Sequence, residues 1–217
     1  MDAYKETFAT WNKVATMYQE KFMDLDFYDA SYDFVSESVK KKNAKMLEIG
    51  CGPGNIIRYL LSKRSDFQIF GIDVSPNMIQ LARKNNPTAD FKVMDAREIR
   101  KIDSKFDAII CGFCLPYLAP EDLEKFLADA CDLLLPNGIF YISFVEGKSE
   151  NSGFKTTKTG DRVYFNYYGL DKLMSELEKL KFSHLKTFHV QYPLNENESE
   201  MHTILVVKKM HKNKKME

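Results

Sequence analysis

Three features that could hold a ligand follow successive apolar segments of the sequence. The glycine-rich turn 50–54, with the sequence GCGPG, comes directly after Ile49, while Asp73 and Asp95 end the next two apolar segments. Glycine allows backbone angles that are closed to other residues and lets a ligand contact the main chain. A carboxylate at the end of the second strand of an α/β sheet can accept hydrogen bonds from a ribose. The spacing therefore predicts a binding site for a nucleoside.

The spacing of the glycines distinguishes between nucleosides. Dinucleotide sites use Gly-x-Gly-x-x-Gly, in which the third glycine lies under a pyrophosphate. Here the order is Gly50, Gly52 and Gly54, and Asn55 stands where that third glycine would be. A ligand with an amino-acid moiety and no phosphate does not need the pyrophosphate turn. An NAD(P)-dependent oxidoreductase of Rossmann type stays open as an alternative, although neither Tyr-x-x-x-Lys pair of the chain follows the strand that this chemistry requires.

The elements that must position these residues alternate regularly. Short apolar segments at 46–49, 67–74, 91–95, 106–111 and 139–145 are separated by segments with helical periodicity, which indicates βαβ units. Two further strands, 185–192 and 203–207, are joined by a short acidic loop that only an antiparallel pair can use. We therefore expect an α/β Rossmann-like, doubly wound sheet of seven strands. It is mostly parallel with an antiparallel last strand, and helices cover both faces.

We expect residues 1–217 to form one domain with three additions to the sheet. An aromatic-rich N-terminal helical cap covers 1–42, with its helices within 10–42, and an inserted cap segment covers 146–168. The insertion resembles a hairpin that turns at Thr159-Gly160-Asp161. A lysine-rich, flexible basic tail is predicted for 208–217.

Composition limits the class of partner. The 217 residues carry 31 lysines and arginines against 31 aspartates and glutamates, so the basic excess typical of nucleic-acid binding is missing. The longest uncharged segment, 108–120, is too short to span a bilayer, and the first residues lack the apolar core of a signal peptide. Four cysteines in a chain of this length are not a disulfide framework. We expect a reduced cytoplasmic protein with no nucleic-acid partner and no membrane association; its oligomeric state is open.

Taken together, these motifs resemble the class I S-adenosylmethionine-dependent methyltransferases of the small-molecule type. The resemblance covers residues 45–145 through the segments 48–54 (EIGCGPG), 73–78 (DVSPNM), 95–96 (DA) and 106–110 (FDAII), and through 133–138 (LLLPNG) before the fifth strand. It implies S-adenosyl-L-methionine as the cofactor and a small-molecule methyl acceptor. It also implies direct in-line displacement of the methyl group, without a dedicated nucleophile.

The resemblance also assigns roles around the cofactor. The turn 50–54 would pack against the methionine part and Asp73 would bind both ribose hydroxyls. Asp95 would accept from the adenine amino group, and the main chain at Cys111 would receive the ammonium. The full set of implied cofactor-binding residues is Glu48, Gly50, Cys51, Gly52, Gly54, Asp73, Val74, Met78, Asp95, Ala96 and Cys111; among these, Val74 and Met78 would flank the adenine and the Ala96 N–H would reach a ring nitrogen.

Aromatic residues are abundant where an acceptor pocket would lie, and they favour a closed, apolar site. The substrate-binding residues predicted on this basis are Tyr18, Phe113, Tyr117, Tyr167 and Tyr168. Many relatives carry a histidine near the position of Tyr117, so no catalytic base is assigned. No metal site is expected, because the Cys111–Cys114 spacing lacks further ligands. A non-catalytic cofactor-binding regulator remains a second alternative.

Overall fold

The computed structural model describes residues 3–156 and 160–211. Its main feature is a seven-stranded sheet with the order β3-β2-β1-β4-β5-β9-β8. The strands are β1 Lys45–Ile49, β2 Gln68–Asp73, β3 Asp90–Val93, β4 Phe106–Cys111, β5 Leu134–Val145, β6 Gly153–Thr156, β7 Arg162–Phe165, β8 Phe182–Pro193 and β9 Ser199–Lys209. The helices are α1 Ala3–Lys13, α2 Ala15–Phe22, α3 Asp29–Ser38, α4 Asn55–Lys63, α5 Pro76–Asn85, α6 Pro120–Leu133 and α7 Leu170–Lys179. Strands β6 and β7 form a separate two-stranded sheet.

Strand β9 runs against its neighbours and the other six strands share one direction. β9 pairs antiparallel with both β5 and β8, whereas β1, β2, β3, β4 and β5 pair in parallel. The predicted doubly wound sheet with an antiparallel last strand is therefore confirmed. The strand order reverses at β1, which pairs with β2 on one side and β4 on the other. In open α/β sheets this reversal opens a crevice beyond the carboxyl ends of the strands.

The central strands are buried on both faces, because alternate side chains point to opposite sides. Met46, Ala108 and Tyr141 belong to one core, which also contains side chains of α3, α4 and α5. Leu47 and Ile109 belong to the other, which also contains side chains of α6 and α7. Helices thus cover both faces, as the sequence predicts.

Strand β5 begins earlier than expected. The sequence predicts a break at 136–138 and a strand from Ile139, but α6 ends at Leu133 and β5 starts at Leu134. The register shifts here: Phe106 faces Leu134, whereas Ala108 faces Ile139. The extra residues form a bulge, in which Asn137 has a positive φ of 63°. The turn residues are thus accommodated inside the strand.

The terminal predictions need two corrections. Helix α1 starts at Ala3, before the predicted helical segment 10–42. Lys208 and Lys209 are the last residues of β9, where they pair with Ile139 and Phe182, so the strand continues into the predicted tail. Positions 212–217 of that tail lie outside the described residues.

The predicted hairpin is present as strands β6 and β7. Of its proposed turn, Thr159 lies outside the described residues. Among the residues that the structure describes, no helix has the length and apolar character needed to cross a bilayer.

Candidate functional site

A cleft opens at the carboxyl edge of the parallel strands, where the strand order reverses. Its walls are mostly apolar with two carboxylates, a composition typical of small-molecule sites. The residues that line it come from α1, α2, α5, the glycine turn and the segments that follow β2, β3 and β4: Tyr4, Phe8, Trp11, Tyr18, Gly50, Gly52, Asp73, Val74, Met78, Met94, Asp95, Ala96, Gly112, Phe113, Cys114, Tyr117 and Leu118.

The glycine turn forms the floor of the cleft. Gly50, Gly52 and Gly54 all have positive φ, at 70°, 52° and 80°. A Cβ at Gly50 would lie 2.7 Å from Cys114 Cβ, and one at Gly54 would lie 2.4 Å from Asn86 Nδ2. Other residues would be strained here both by the backbone angles and by these contacts. The sequence therefore keeps this part of the main chain bare.

Asp73 is fixed by the main chain on both of its oxygens. Oδ2 accepts a hydrogen bond from the Gly52 N–H at 2.9 Å and Oδ1 accepts one from the Ser75 N–H at 2.8 Å. Burial raises the pKa of Asp73, and these two N–H groups act in the opposite direction. Since each carboxylate oxygen has two lone pairs, the side chain keeps acceptor capacity for a ligand.

Asp95 is the second acidic group of the cleft. Its side chain accepts from the Arg97 N–H at 2.9 Å and so caps the short 3-10 helix Ala96–Lys101. The Arg97 guanidinium binds both of its oxygens, with Nη2 at 2.6 Å from Oδ2 and Nε at 3.1 Å from Oδ1. The carboxylate is therefore held in one orientation.

Aromatic side chains cover the cleft; we call Tyr4, Phe8, Trp11, Tyr18, Phe113 and Tyr117 the aromatic roof. Trp11 contacts Tyr18 and Tyr117 edge-on, with ring centroids 5.5 and 5.2 Å apart. Tyr18 lies over the turn, because its Cε1 is 3.6 Å from where a Gly52 Cβ would be. Burial raises the pKa of both Tyr18 and Tyr117. Both phenols are thus neutral at physiological pH and can donate a hydrogen bond.

Charge in the cleft is limited to two acids. Asp73 and Asp95 line it, and none of the described residues that line it is lysine, arginine or histidine. The site therefore has no group that could neutralise a phosphate backbone. The part of the chain that the structure describes also has no cluster of three or more His, Cys, Asp or Glu side chains placed to hold a metal ion.

Several predicted site residues lie behind the cleft surface and do not line it. Glu48 and Cys51 are each 1% exposed and Cys111 is fully buried, although Gly112 and Phe113, which follow Cys111, do line the cleft. Gly54 caps the start of α4. These residues can shape the site through the main chain or through the floor beneath it.

Tyr167 and Tyr168 are not brought to the cleft. The Tyr168 hydroxyl donates to the Leu118 carbonyl at 2.6 Å, and its ring is part of the core on the α6 side. Tyr167 packs against Gly147, where an added Cβ would lie 2.7 Å from Cδ1 of the ring. These two tyrosines lie away from the cleft because of the path of the inserted segment. Strand β7 packs against α1, and the residues that follow β7 turn into the protein.

Comparison with known proteins identifies the fold and a methyltransferase-like segment of the sequence. Residues 46–138 match the sequence model of a family described as "Methyltransferase domain". The crystal structure of the Burkholderia thailandensis 1,6-didemethyltoxoflavin-N1-methyltransferase, with bound 1,6-didemethyltoxoflavin and S-adenosylhomocysteine, has a TM-score of 0.72 to this structure. It is 18% identical and the match covers 95% of this chain and 88% of that chain. Residues 46–138 are thus similar in sequence to a methyltransferase domain, and the sheet has the fold of a solved methyltransferase.

Two sequence relatives of the chain are longer proteins. The putative methyltransferase 235L of Invertebrate iridescent virus 6 is 34% identical over 112 residues, which are 52% of this chain and 40% of that protein. The tRNA N(3)-methylcytidine methyltransferase trm140 of Schizosaccharomyces pombe is 33% identical over 118 residues, 49% of this chain and 38% of that protein. The chain thus spans about two fifths of the length of each of these two relatives.

The cleft suits S-adenosylmethionine, the cofactor that the resemblance to methyltransferases implies. Gly50 and Gly52 line the cleft without a side chain, so a ligand can contact the main chain there. Asp73 and Asp95 also line the cleft and supply acceptors for hydroxyl and amino groups. These groups fit a nucleoside with an amino-acid tail.

Sequence reasoning did not assign Tyr4, Phe8, Met94, Gly112, Cys114 or Leu118 to the site. A signal for the first two was present. Tyr4, Phe8 and Trp11 are spaced by four and three residues, which places them on one face of a helix. Met94 and Leu118 carried no such signal, since each is one apolar residue beside a strand or turn.

Proposed function

We propose that the protein binds S-adenosylmethionine in the cleft and transfers its methyl group to a small-molecule acceptor by direct in-line displacement. The observation that carries the proposal is the convergence of the glycine turn, Asp73 and Asp95 on one cleft. A dinucleotide site is disfavoured by Asn55 at the position of the third glycine.

Each side of the cleft has its own part in holding the cofactor. Asp73 accepts from both ribose hydroxyls, and Asp95 accepts from the adenine amino group. Val74 and Met78 flank the adenine ring, and the Ala96 N–H donates to a ring nitrogen. The main chain at Gly50 and Gly52 packs against the methionine part, and the main chain at Cys111 receives its ammonium. Glu48, Cys51 and Gly54 shape this floor from beneath.

A small acceptor is supported by the charge and shape of the roof. A protein that binds nucleic acid places lysine and arginine against the phosphates, and the cleft has neither among its described lining residues. Neutral hydroxyls on Tyr18 and Tyr117 offer hydrogen bonds without desolvating a charge. An acceptor of modest size, apolar with a few polar atoms, matches these walls.

The chemistry needs positioning more than proton transfer. S-adenosylmethionine, when bound, supplies an electrophilic methyl group on a sulfonium. Alignment alone can contribute effective molarities of about 10⁵–10⁸ M. Aromatic faces stabilise a nearby cation by roughly 0.5–2 kcal/mol per contact, and Trp11, Tyr18 and Phe113 provide such faces. No side chain is assigned as a base, because the raised pKa values of Tyr18 and Tyr117 make them donors.

A reduced, cytoplasmic setting is part of the proposal. Cys51 and Cys111 are buried free thiols, and Cys114 is a partly exposed one. A chain with unpaired cysteines suits a compartment that keeps thiols reduced.

Replacing Asp73 tests the cofactor site. We expect Asp73→Ala to weaken binding of S-adenosylhomocysteine by at least about tenfold, because a hydrogen bond to a charged group contributes about 1.5–3 kcal/mol. Isothermal titration calorimetry gives the affinity. Asp66→Ala is the matched control, since Asp66 pairs with Arg64 away from the cleft. Equal affinities in the wild type and Asp73→Ala would remove Asp73 from the site.

Ligand stabilisation separates the remaining functions. S-adenosylhomocysteine, NAD and a single-stranded oligonucleotide are compared by thermal shift, and we expect stabilisation by the first alone. Release of S-adenosylhomocysteine is then measured against a panel of small metabolites and against unmodified tRNA. Turnover with tRNA only would contradict the small-molecule proposal, and cofactor binding without turnover on any acceptor would favour a non-catalytic regulator.

A further inference from the structure

Arg97 connects the adenine side of the cleft to the first helix. Its guanidinium forms a two-point contact with Asp95, and the two side chains are 34% and 19% exposed. The same guanidinium lies over the ring of Tyr4, with Cζ 3.8 Å from the ring centroid. One face of the Arg97 guanidinium therefore stacks on the Tyr4 ring, and its edge binds the Asp95 carboxylate.

Tyr4 is itself anchored beyond this contact. Its hydroxyl donates to Asp122 Oδ2 at 2.5 Å and accepts from the Ala119 N–H at 2.7 Å. Both partners lie at the start of α6. The ring beneath Arg97 is thus fixed to the main body of the protein, so the guanidinium rests on a rigid support.

We propose that Arg97 is a positioning residue that sets the orientation of Asp95 for recognition of the adenine amino group. The inference rests on the proposed function, in which Asp95 reads the adenine. A planar guanidinium that binds both oxygens fixes the plane of a carboxylate, which a point charge does not do. Arg97 itself does not line the cleft, so it acts through Asp95.

The geometry leaves room for the ligand. Asp95 Oδ1 accepts from the Arg97 N–H and Nε, and Oδ2 accepts from Nε and Nη2. The four lone-pair sites of a carboxylate are not exhausted by these contacts, because Nε is shared between the two oxygens. Asp95 itself lines the cleft, so a ligand bound there lies beside this carboxylate.

The test compares two thioethers that differ at the purine 6-position and at the neighbouring N1. S-adenosylhomocysteine carries an amino group at C6 and an unprotonated N1, whereas S-inosylhomocysteine carries a carbonyl oxygen at C6 and a proton on N1. We expect the wild type to bind the adenosyl compound at least about tenfold more tightly, the effect of one hydrogen bond to a charged group. In Arg97→Gln this ratio falls to within about threefold, because Asp95 is then held only by the main-chain N–H of residue 97 and its carboxylate plane is no longer fixed. Calorimetry measures both affinities.

Arg64→Gln is the matched control. Arg64 also makes a two-point contact with an aspartate two residues away, Asp66, and its Cζ lies 4.4 Å from the ring centroid of Phe67. It lies away from the cleft, so its loss should leave the wild-type ratio unchanged. Arg97→Lys, which keeps the charge but lacks the planar fork, provides a second variant with an expected intermediate ratio if Arg97→Gln folds poorly.

Each outcome decides one claim. A wild type that binds both thioethers equally would overturn the adenine role of Asp95 and this inference with it. Discrimination in the wild type that persists in both Arg97 variants would overturn the role of Arg97 alone. An equal loss of affinity for both compounds in the Arg97 variants would indicate a merely structural role and would also overturn the positioning role of Arg97. Tighter binding of the adenosyl compound in Arg97→Gln would overturn that role too, because Arg97 would then compete with the adenine for Asp95.

Discussion

At the scale of single residues, Glu48 is the most unusual group near the site. It lies on β1 beneath the glycine turn and is 1% exposed. Its carboxyl accepts a hydrogen bond from the main chain of Ile57, whereas Oε2 has no hydrogen-bond partner among the described residues. Burial raises the pKa of Glu48 well above its ordinary value, and the nearby Asp73 raises it further. The protonated form is therefore favoured in the folded protein.

This predicts how stability depends on pH. The unfolded chain releases the Glu48 proton at a lower pH than the folded protein does, so this group lowers stability as pH rises through the interval between the two pKa values. Glu48→Gln, which carries no titrating proton, should remove that loss. We expect its advantage over the wild type in urea unfolding to be near zero at pH 4 and to exceed about 1 kcal/mol at pH 8, since one pKa unit corresponds to about 1.4 kcal/mol. Parallel pH profiles for the two proteins, with the exposed Glu98→Gln as reference, would contradict the prediction.

The sequence can predict the placement of residues whose position is set by a strand end. Asp73 and Asp95 follow from the ends of apolar segments, and parallel strands bring those ends to one edge. The ion pair between Arg97 and Asp95 and the contact of Arg97 with the Tyr4 ring could not be predicted. Tyr4 reaches Arg97 only through the packing of α1, and no local pattern encodes that contact.

At the scale of elements, the glycine turn also joins α4 to α5. Gly54 caps α4 in a left-handed conformation, and its carbonyl accepts from Asn86 Nδ2 at 3.0 Å, just after α5. A methyl group at Gly54 would lie 2.4 Å from that same nitrogen. The contact between α4 and α5 on one face of the sheet therefore depends on the absence of a side chain at Gly54.

We expect Gly54→Ala to lower the free energy of unfolding by about 2 kcal/mol. A left-handed conformation costs an L-residue about 1–2 kcal/mol, and displacement of Asn86 adds the loss of a hydrogen bond of about 1 kcal/mol. Chemical denaturation followed by circular dichroism measures the change. Gly169→Ala is the control, because Gly169 has negative φ and no atom within 4 Å of an added Cβ. Similar values for the two variants would disprove the role of Gly54.

Element boundaries show where pattern reasoning ends. The parallel strands were predicted because each is a short apolar segment with flanking breakers. The start of β5 was misplaced because 136–138 has the composition of a turn. Pairing with β4 holds that turn inside the strand as a bulge, and such a constraint comes from the neighbouring strand.

At the scale of the whole molecule, α1 and β7 form one unit over the cleft. The Tyr164 N–H donates to Thr7 Oγ1 at 2.9 Å and Thr10 Oγ1 donates to the Arg162 carbonyl at 2.7 Å. Arg162 also pairs with Glu6 at 2.7 Å. The sequence predicted an N-terminal cap and an inserted cap separately. Their union could not be predicted, because it joins residues about 150 positions apart through side chains of ordinary composition.

Cofactor binding should therefore slow exchange in both segments together. We expect deuterium uptake in residues 3–13 and 160–168 to fall in concert when S-adenosylhomocysteine is added, because a ligand beneath the aromatic roof stabilises α1 and α1 carries β7 with it. Hydrogen exchange followed by mass spectrometry measures this, with α7 as the internal reference. Protection of only one of the two segments would show that they do not move as a unit.

The position of α1 and the hairpin outside both hydrophobic cores has a consequence for how such a protein can change over generations. Among the described residues, neither α1 nor strands β6 and β7 contributes a side chain to either core. Substitutions there leave the packing of the sheet intact, whereas the positive φ angles of Gly50, Gly52 and Gly54 restrict substitution in the floor. The residues above the cleft can therefore change over generations without loss of the ability to fold.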